Sequence, residues 1–172
     1  MVILRKAKLS DIKQIQEIEK EYYEGFSCPE KTLIEWINGS NENFIVAEVN
    51  NVIVGFIFFE YLAKISAIPF IHKLEHNLKG KYVYISEIGI LNKFRNSDIL
   101  QKLFDKLFEK SKKDGCNAII WLTGSKSKHD NIELSILQKN GFEKGENVKH
   151  WEAYPCHFLD DHYLWIKPIQ IT

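Results

Sequence analysis

Residues 82–108, YVYISEIGILNKFRNSDILQKLFDKLF, set a buried strand directly before an amphipathic helix. Tyr82 to Leu91 is apolar at nearly every position, which reads as a strand of a sheet interior. From about Ser97 to Lys113, Leu100, Leu103, Phe104, Leu107 and Phe108 fall on one helical face, and Gly115 is placed to end the helix. Where such a strand turns into such a helix, several backbone N–H groups lack intrahelical partners and the helix dipole adds partial positive charge. That junction is a ready anion site.

The flanking sequence extends the same pattern. Val2 to Leu4 reads as a strand, and Ser10 stands where an N-cap would, with Asp11 beside it. Ile12, Ile15, Ile18 and Tyr22 follow at helical spacing. Pro29 fits the first position of a second helix with Leu33, Ile34 and Ile37 on its apolar face, ending near Gly39. Phe44 to Val49 and Val52 to Tyr61 are strands, and Asn50-Asn51 between them can take the positive φ of a tight hairpin. Segment 62–80 reads as a helix opened by Pro69 or as an irregular excursion. Cys116 to Leu122 is a strand, Asp130 to Asn140 a helix ended by Gly141, and Val148 to Tyr154 and His162 to Lys167 close the chain as strands. The order β-α-α-β-β-β-α-β-α-β-β predicts an α/β fold: a three-layer domain with a mixed, mostly antiparallel sheet flanked by helices.

Composition bounds what such a domain can do. With 172 residues, one domain spanning 1–172 is expected, and 45 % hydrophobic and 13 % aromatic residues exclude disorder. The 23 basic and 23 acidic residues cancel, which argues against nucleic acid or an anionic membrane as the main partner. No apolar run approaches the roughly 20 residues that span a bilayer, and the N-terminus lacks a signal-peptide pattern. Cys28, Cys116 and Cys156 are odd in number and far apart, which fits a reducing, cytoplasmic setting.

The strand-loop-helix and the element order together resemble the GCN5-related N-acetyltransferase (GNAT) superfamily. There, a hydrophobic strand end is followed by Arg/Gln-x-x-Gly-x-Gly/Ala, a loop that binds the acetyl-CoA pyrophosphate. The resemblance covers essentially the whole chain: ILRKAKLSDIKQI resembles the family's first strand and helix, NNVIVGFIFFEYL its second hairpin half with Gly55 in the usual place, ILQKNGF its fourth-helix end and DHYLWIKPI its last strand. It implies that Gly89 and Ile90 end the strand and meet acetyl-CoA, with Ile90 against the pantetheine. Arg95, Asn96, Ser97, Asp98, Ile99 and Leu100 then form the pyrophosphate loop.

The loop departs from the family pattern. Its two small positions fall on Asp98 and Leu100, where glycine lets a phosphate approach the backbone. Two negative charges about 5 Å apart repel by about 3 kcal/mol at an effective dielectric near 20, on the order of a hundredfold in affinity. An Asp98 side chain turned to solvent reduces that penalty. The plainer reading of the same residues is that Ser97 or Asp98 caps the helix with protein atoms.

Amide formation from a thioester needs a neutral amine, a stabilised oxyanion and a protonated leaving thiolate. An alkylamine has a pKa of roughly 10.4, so a general base is needed near neutral pH. The resemblance implies Glu87, on the strand before the loop, as that base. A carboxylate between Ile85, Ile88 and Ile90 is costly to bury without a purpose. Its alternative is a hydrated or lysine-paired position where the sheet splays. The oxyanion donor is implied to be a backbone N–H near Gly89 or Ile90, and Gly89 fits a bulge that turns such an amide outward. The family's usual acid, a tyrosine, falls on Leu137, which donates no proton; Tyr154 and Tyr84 are the substitutes, or the thiolate leaves unassisted. The family's frequent asparagine at the start of the same helix falls on Asp130, an N-cap.

Other constellations carry less. His72 and His76 at i, i+4 lack a third ligand, and HFLDDH, 157–162, reads as a polar turn, so no metal is expected. Cys116 in an apolar strand reads as packing, and Trp36, Trp121, Trp151 and Trp165 as core. The aromatic and acidic segments 21–28 and 151–158, with 62–80, suit an amine acceptor or equally a homodimer face. The expectation is therefore an N-acyltransferase that passes an acetyl group from acetyl-CoA, as co-substrate, to a primary amine of a small molecule or peptide by direct attack. The alternative is a non-catalytic GNAT-like module that binds a ligand or a protein.

Overall fold

The computed structural model describes residues 1–23, 25, 27–61, 81–95, 97–124, 130–152 and 158–169. The expectations placed on His72, His76, Asn96, Tyr154, Cys156, His157 and the 62–80 segment lie outside these residues. Seven strands form one mixed sheet, flanked by helices: β1 (Val2–Lys6), β2 (Phe44–Val49), β3 (Val52–Tyr61), β4 (Tyr82–Ile90), β5 (Ala118–Gly124), β6 (Glu143–Glu152) and β7 (Phe158–Pro168). Their order in the sheet is β1-β2-β3-β4-β5-β7-β6. The helices are α1 (Ile12–Tyr22), α2 (Glu30–Ser40), α3 (Ile99–Lys113) and α4 (Asp130–Lys139). None among the described residues is long and apolar enough to cross a membrane.

The backbone packs as two compact units, residues 1–59 with 86–107, and residues 60–85 with 108–172. In the first, β1, β2 and β3 form an antiparallel meander. The β2–β3 hairpin turns through Asn50 (φ 50°) and Asn51 (φ 64°), the positive-φ pair that its sequence predicts. Its register slips between Ala47 and Glu48, leaving Val54 as an extra residue on β3, and the Val54 carbonyl accepts the Leu91 N–H at 3.0 Å. Phe44, Phe56, Phe58, Ile15, Ile18 and Leu33 are fully buried here, each contributing about 1.5–3 kcal/mol through apolar burial. Trp36 of α2 stacks on Phe58 with ring centroids 4.6 Å apart.

Ser10 does not cap α1. It lies inside a single 3-10 turn, Leu9–Asp11, and the carboxylate one residue later does the local work. Asp11 Oδ2 accepts the Lys8 N–H at 2.8 Å, while both Asp11 oxygens accept from the Arg5 guanidinium at 2.7 and 3.0 Å. The other face of that guanidinium donates through Nε to Glu48 at 2.8 Å. A bidentate, charge-assisted partner outcompetes a neutral serine cap.

In the second unit, Tyr82–Ile85 of β4 pairs in parallel with Ala118–Trp121 of β5. β5 runs antiparallel to β7, and β7 to β6. Trp121 and Trp165 are buried, and Trp165 Nε1 donates to Thr123 Oγ1 at 3.0 Å. Cys116 does not start β5: its N–H closes the end of α3 on the Ser111 carbonyl, and burial pushes its thiol pKa up. Tyr61 donates to the Asp114 carboxylate, which Lys110 also reaches at 3.1 Å. The residues Phe158 to His162, read as a turn, are the first residues of β7 and pair with Val148–Glu152 of β6.

Candidate active site

The site is assembled wholly within the first unit, where the end of β4, the loop after it and the start of α3 meet the last turn of α1. Glu87 is 3 % exposed. One of its carboxyl oxygens, one of Glu19 and the Cys28 sulfur all lie within 4.8 Å of one another, and all three residues are buried. Burying an ionisable group in this way is expensive unless other groups compensate.

Four contacts join the last turns of α1 to the β4 end and the loop. Glu19 faces Glu87; Tyr23 donates its hydroxyl to the Ile88 carbonyl at 2.6 Å; Glu21 accepts the Asn92 N–H; and the Arg95 guanidinium lies 5.3 Å from the centre of the Tyr22 ring. The Tyr22 and Tyr23 rings meet edge to face at 4.9 Å. Spacing alone gave no sign of Glu19. Of the signals available, only the acidic and aromatic density of 21–28 pointed to that end of α1.

Gly89 has a packing reason for being glycine. A Cβ there would stand 2.8 Å from Phe56 Cε1 and 3.0 Å from Ile18 Cγ2, closer than side-chain carbons approach. A Cβ on Gly55 would stand 3.1 Å from the Gly89 carbonyl oxygen. The two glycines let β3 and α1 close on the strand end without displacing it. Ile90 is fully buried.

Arg95 closes a 3-10 turn, its N–H donating to the Asn92 carbonyl at 3.2 Å. The Ser97 hydroxyl donates to the Phe94 carbonyl and accepts the Ile99 N–H at 3.3 Å, so Ser97 satisfies one first-turn amide weakly. The N–H groups of Asp98 and Leu100 have no acceptor among the described residues. Ile99 and Leu100 are each 2 % exposed as whole residues, so Leu100 turns its bulk inward. Asp98 points to solvent, 67 % exposed, and pairs with Lys102. The carboxylate that threatened to repel an anion is thus turned away and neutralised. The residues present fit a diphosphate: a helix start where the Asp98 and Leu100 amides have no acceptor among the described residues, with Arg95 supplying positive charge. Leu137, at the family's acid position, is fully buried and donates no proton.

Comparison with known proteins places the fold and the family. No curated protein matches the sequence. Among solved structures, the Arabidopsis thaliana NAA60 bound to a bisubstrate analogue is 16 % identical, with all of both chains covered and a TM-score of 0.77. The Chaetomium thermophilum Naa20 with a bisubstrate analogue is 15 % identical over 98 % of this chain and 87 % of that one, with a TM-score of 0.76. The Escherichia coli ribosomal-protein-S18-alanine N-acetyltransferase is 13 % identical over 100 % and 96 %, with a TM-score of 0.70. These likenesses establish the fold. The family model for the acetyltransferase (GNAT) family matches residues 12–142, which takes in α1, the β4 end, the loop and α3, and the chain belongs to that family.

Proposed function

We propose that the protein is an acetyl-CoA-dependent N-acetyltransferase that acts on a primary amine of a small molecule or peptide by direct attack. The observation that carries this reading is the start of α3: the Asp98 and Leu100 N–H groups have no acceptor among the described residues, Asp98 is turned to solvent and paired with Lys102, and Leu100 is packed inward. On this reading those amides and Arg95 hold the pyrophosphate of the co-substrate, and Gly89 and Ile90 lie along its pantetheine arm.

Glu87 is the base. It takes the proton of the attacking amine as the nitrogen bonds to the thioester carbonyl carbon; the carbon–sulfur bond then breaks and the thiolate leaves without a tyrosine donor. Backbone N–H near Gly89 or Ile90 faces the developing oxyanion. The names of the structural neighbours, which include a ribosomal-protein alanine acetyltransferase, support an amine carried by a peptide as one acceptor class.

The test is acetyl transfer from acetyl-CoA across a panel of amines and peptide N-termini, with wild type and Glu87→Gln. The expected result is turnover of at least one class, reduced about 10²–10⁴-fold by the substitution, the usual worth of a general base. Turnover unchanged in Glu87→Gln removes Glu87 as the base. No transfer to any amine overturns the proposed activity.

A further inference from the structure

Cys28 is gripped at both ends of its backbone by one face of α1. Glu19 Oε2 accepts the Cys28 N–H at 2.9 Å, and Gln16 Nε2 donates to the Cys28 carbonyl at 2.9 Å. Residues 16 and 19 are one turn apart, so the two side chains reach from the same face. The result is that a residue beyond the end of α1 is fixed back onto the helix, with its side chain 1 % exposed and its sulfur within 4.8 Å of the Glu87 carboxyl. Glu19 is itself 1 % exposed.

An apolar residue at position 19 would seal the helix against its neighbours at no desolvation cost, whereas a buried carboxylate is costly. What a carboxylate supplies and an apolar residue cannot is an acceptor for the Cys28 amide and a polar wall beside Glu87. We infer that Glu19 is a positioning residue: through the Cys28 amide it seats Cys28 against Glu87 and holds that carboxylate in the orientation that receives the amine's proton. This rests on the reading of Glu87 as the base.

Charge and hydrogen-bonding geometry can be separated at this position. Glu19→Gln keeps an acceptor oxygen for the Cys28 N–H, and Glu19→Ala does not. The experiment measures kcat and KM for wild type and both variants, the Kd of acetyl-CoA by calorimetry, and hydrogen exchange at the Cys28 amide.

Glu19→Ala is expected to lower kcat at least tenfold, with acetyl-CoA Kd within about threefold of wild type and the Cys28 amide exchanging faster. Glu19→Gln is expected to restore kcat to within about threefold and to keep that amide protected. A variant damaged only by misfolding would lose acetyl-CoA binding as well. If Glu19→Ala does not fold, Gln16→Ala removes the other half of the grip and is expected to lower kcat several-fold at unchanged acetyl-CoA Kd.

Three results overturn the inference. One is wild-type kcat in both Glu19→Ala and Gln16→Ala. The second is equal damage in Glu19→Gln and Glu19→Ala. The third is co-purification of one divalent ion per chain that Glu19→Gln releases, which gives Glu19, Cys28 and Glu87 to a metal instead. The exchange measurement needs no turnover. If the wild type transfers no acetyl group, the function fails, and the Cys28 amide still reports whether Glu19 holds it.

Discussion

Lys102 stands one helical turn beyond Asp98 and holds its carboxylate in an ion pair on the exposed side of the first turn of α3. This pair is worth little to stability, as solvent-exposed pairs are. On the proposed function its consequence is for the ligand. An acidic residue at a diphosphate loop is tolerable when its charge is directed along the helix surface to a lysine.

Lys102→Met is therefore expected to weaken acetyl-CoA binding roughly three- to tenfold, and Asp98→Asn to tighten it roughly two- to fivefold, both effects shrinking as salt is raised. Calorimetric Kd values at two ionic strengths check this. Equal Kd in all three proteins would place the anion elsewhere.

The strand end that precedes the loop has no room to spare. Gly89→Ala sets a methyl group against Phe56 and Ile18, and overpacking of that kind costs about 1–3 kcal/mol, or roughly 2–12 °C in melting temperature for a chain of this size. Gly55→Ala meets a backbone oxygen that cannot swing aside. Thermal denaturation of the two variants, and of Gly89→Ala combined with Phe56→Leu, checks the account. The double variant is expected to recover part of the loss. A Gly89→Ala protein as stable as wild type contradicts the packing.

A third prediction concerns acid. Burial alone raises the pKa of the Asp11 carboxyl, but the Arg5 fork and the Lys8 N–H outweigh it and hold the group below the usual carboxylate range. A carboxyl depressed in the folded state stabilises the protein above its unfolded pKa of about 3.9 and loses that contribution as pH falls through the folded value. Denaturant unfolding is expected to show wild type losing stability below about pH 4. Asp11→Asn is expected to be weaker by about 3 kcal/mol at pH 7 and to show a smaller loss in acid. Parallel pH curves would contradict the role given to Asp11.

The outline of the fold was legible because it rests on local rules. Asn50 and Asn51 take the positive φ that a two-residue hairpin requires, and Gly115 and Gly141 end α3 and α4 with φ of 67° and 71°. Ser10 misled because its rival, Asp11, is held by Arg5 of β1, a pairing that capping rules do not register. The polar residues of 158–162 looked like a turn because strand recognition depends on apolar alternation. Their strand identity comes instead from pairing with β6, the edge strand of the sheet.

The candidate site was legible in part for the same reason. Glu87 and the 95–100 loop stand on one contiguous strand-loop-helix, whose local pattern and family resemblance both point to it. Glu19 could not be read, since its meaning lies in meeting Cys28 and Glu87, nine and sixty-eight residues away in the chain. Nor could the inward turn of Leu100, which depends on how α3 packs and decides whether its bulk blocks a ligand.

The central claim is that the first turn of α3 receives the diphosphate of acetyl-CoA on its backbone. The direct measurement is titration of ¹⁵N-labelled protein with coenzyme A, following the amide resonances of Asp98, Ile99 and Leu100. The account predicts large shifts at Asp98 and Leu100 that saturate together and in step with the calorimetric isotherm. Saturable shifts confined to other residues, or no shift at millimolar coenzyme A, would contradict it.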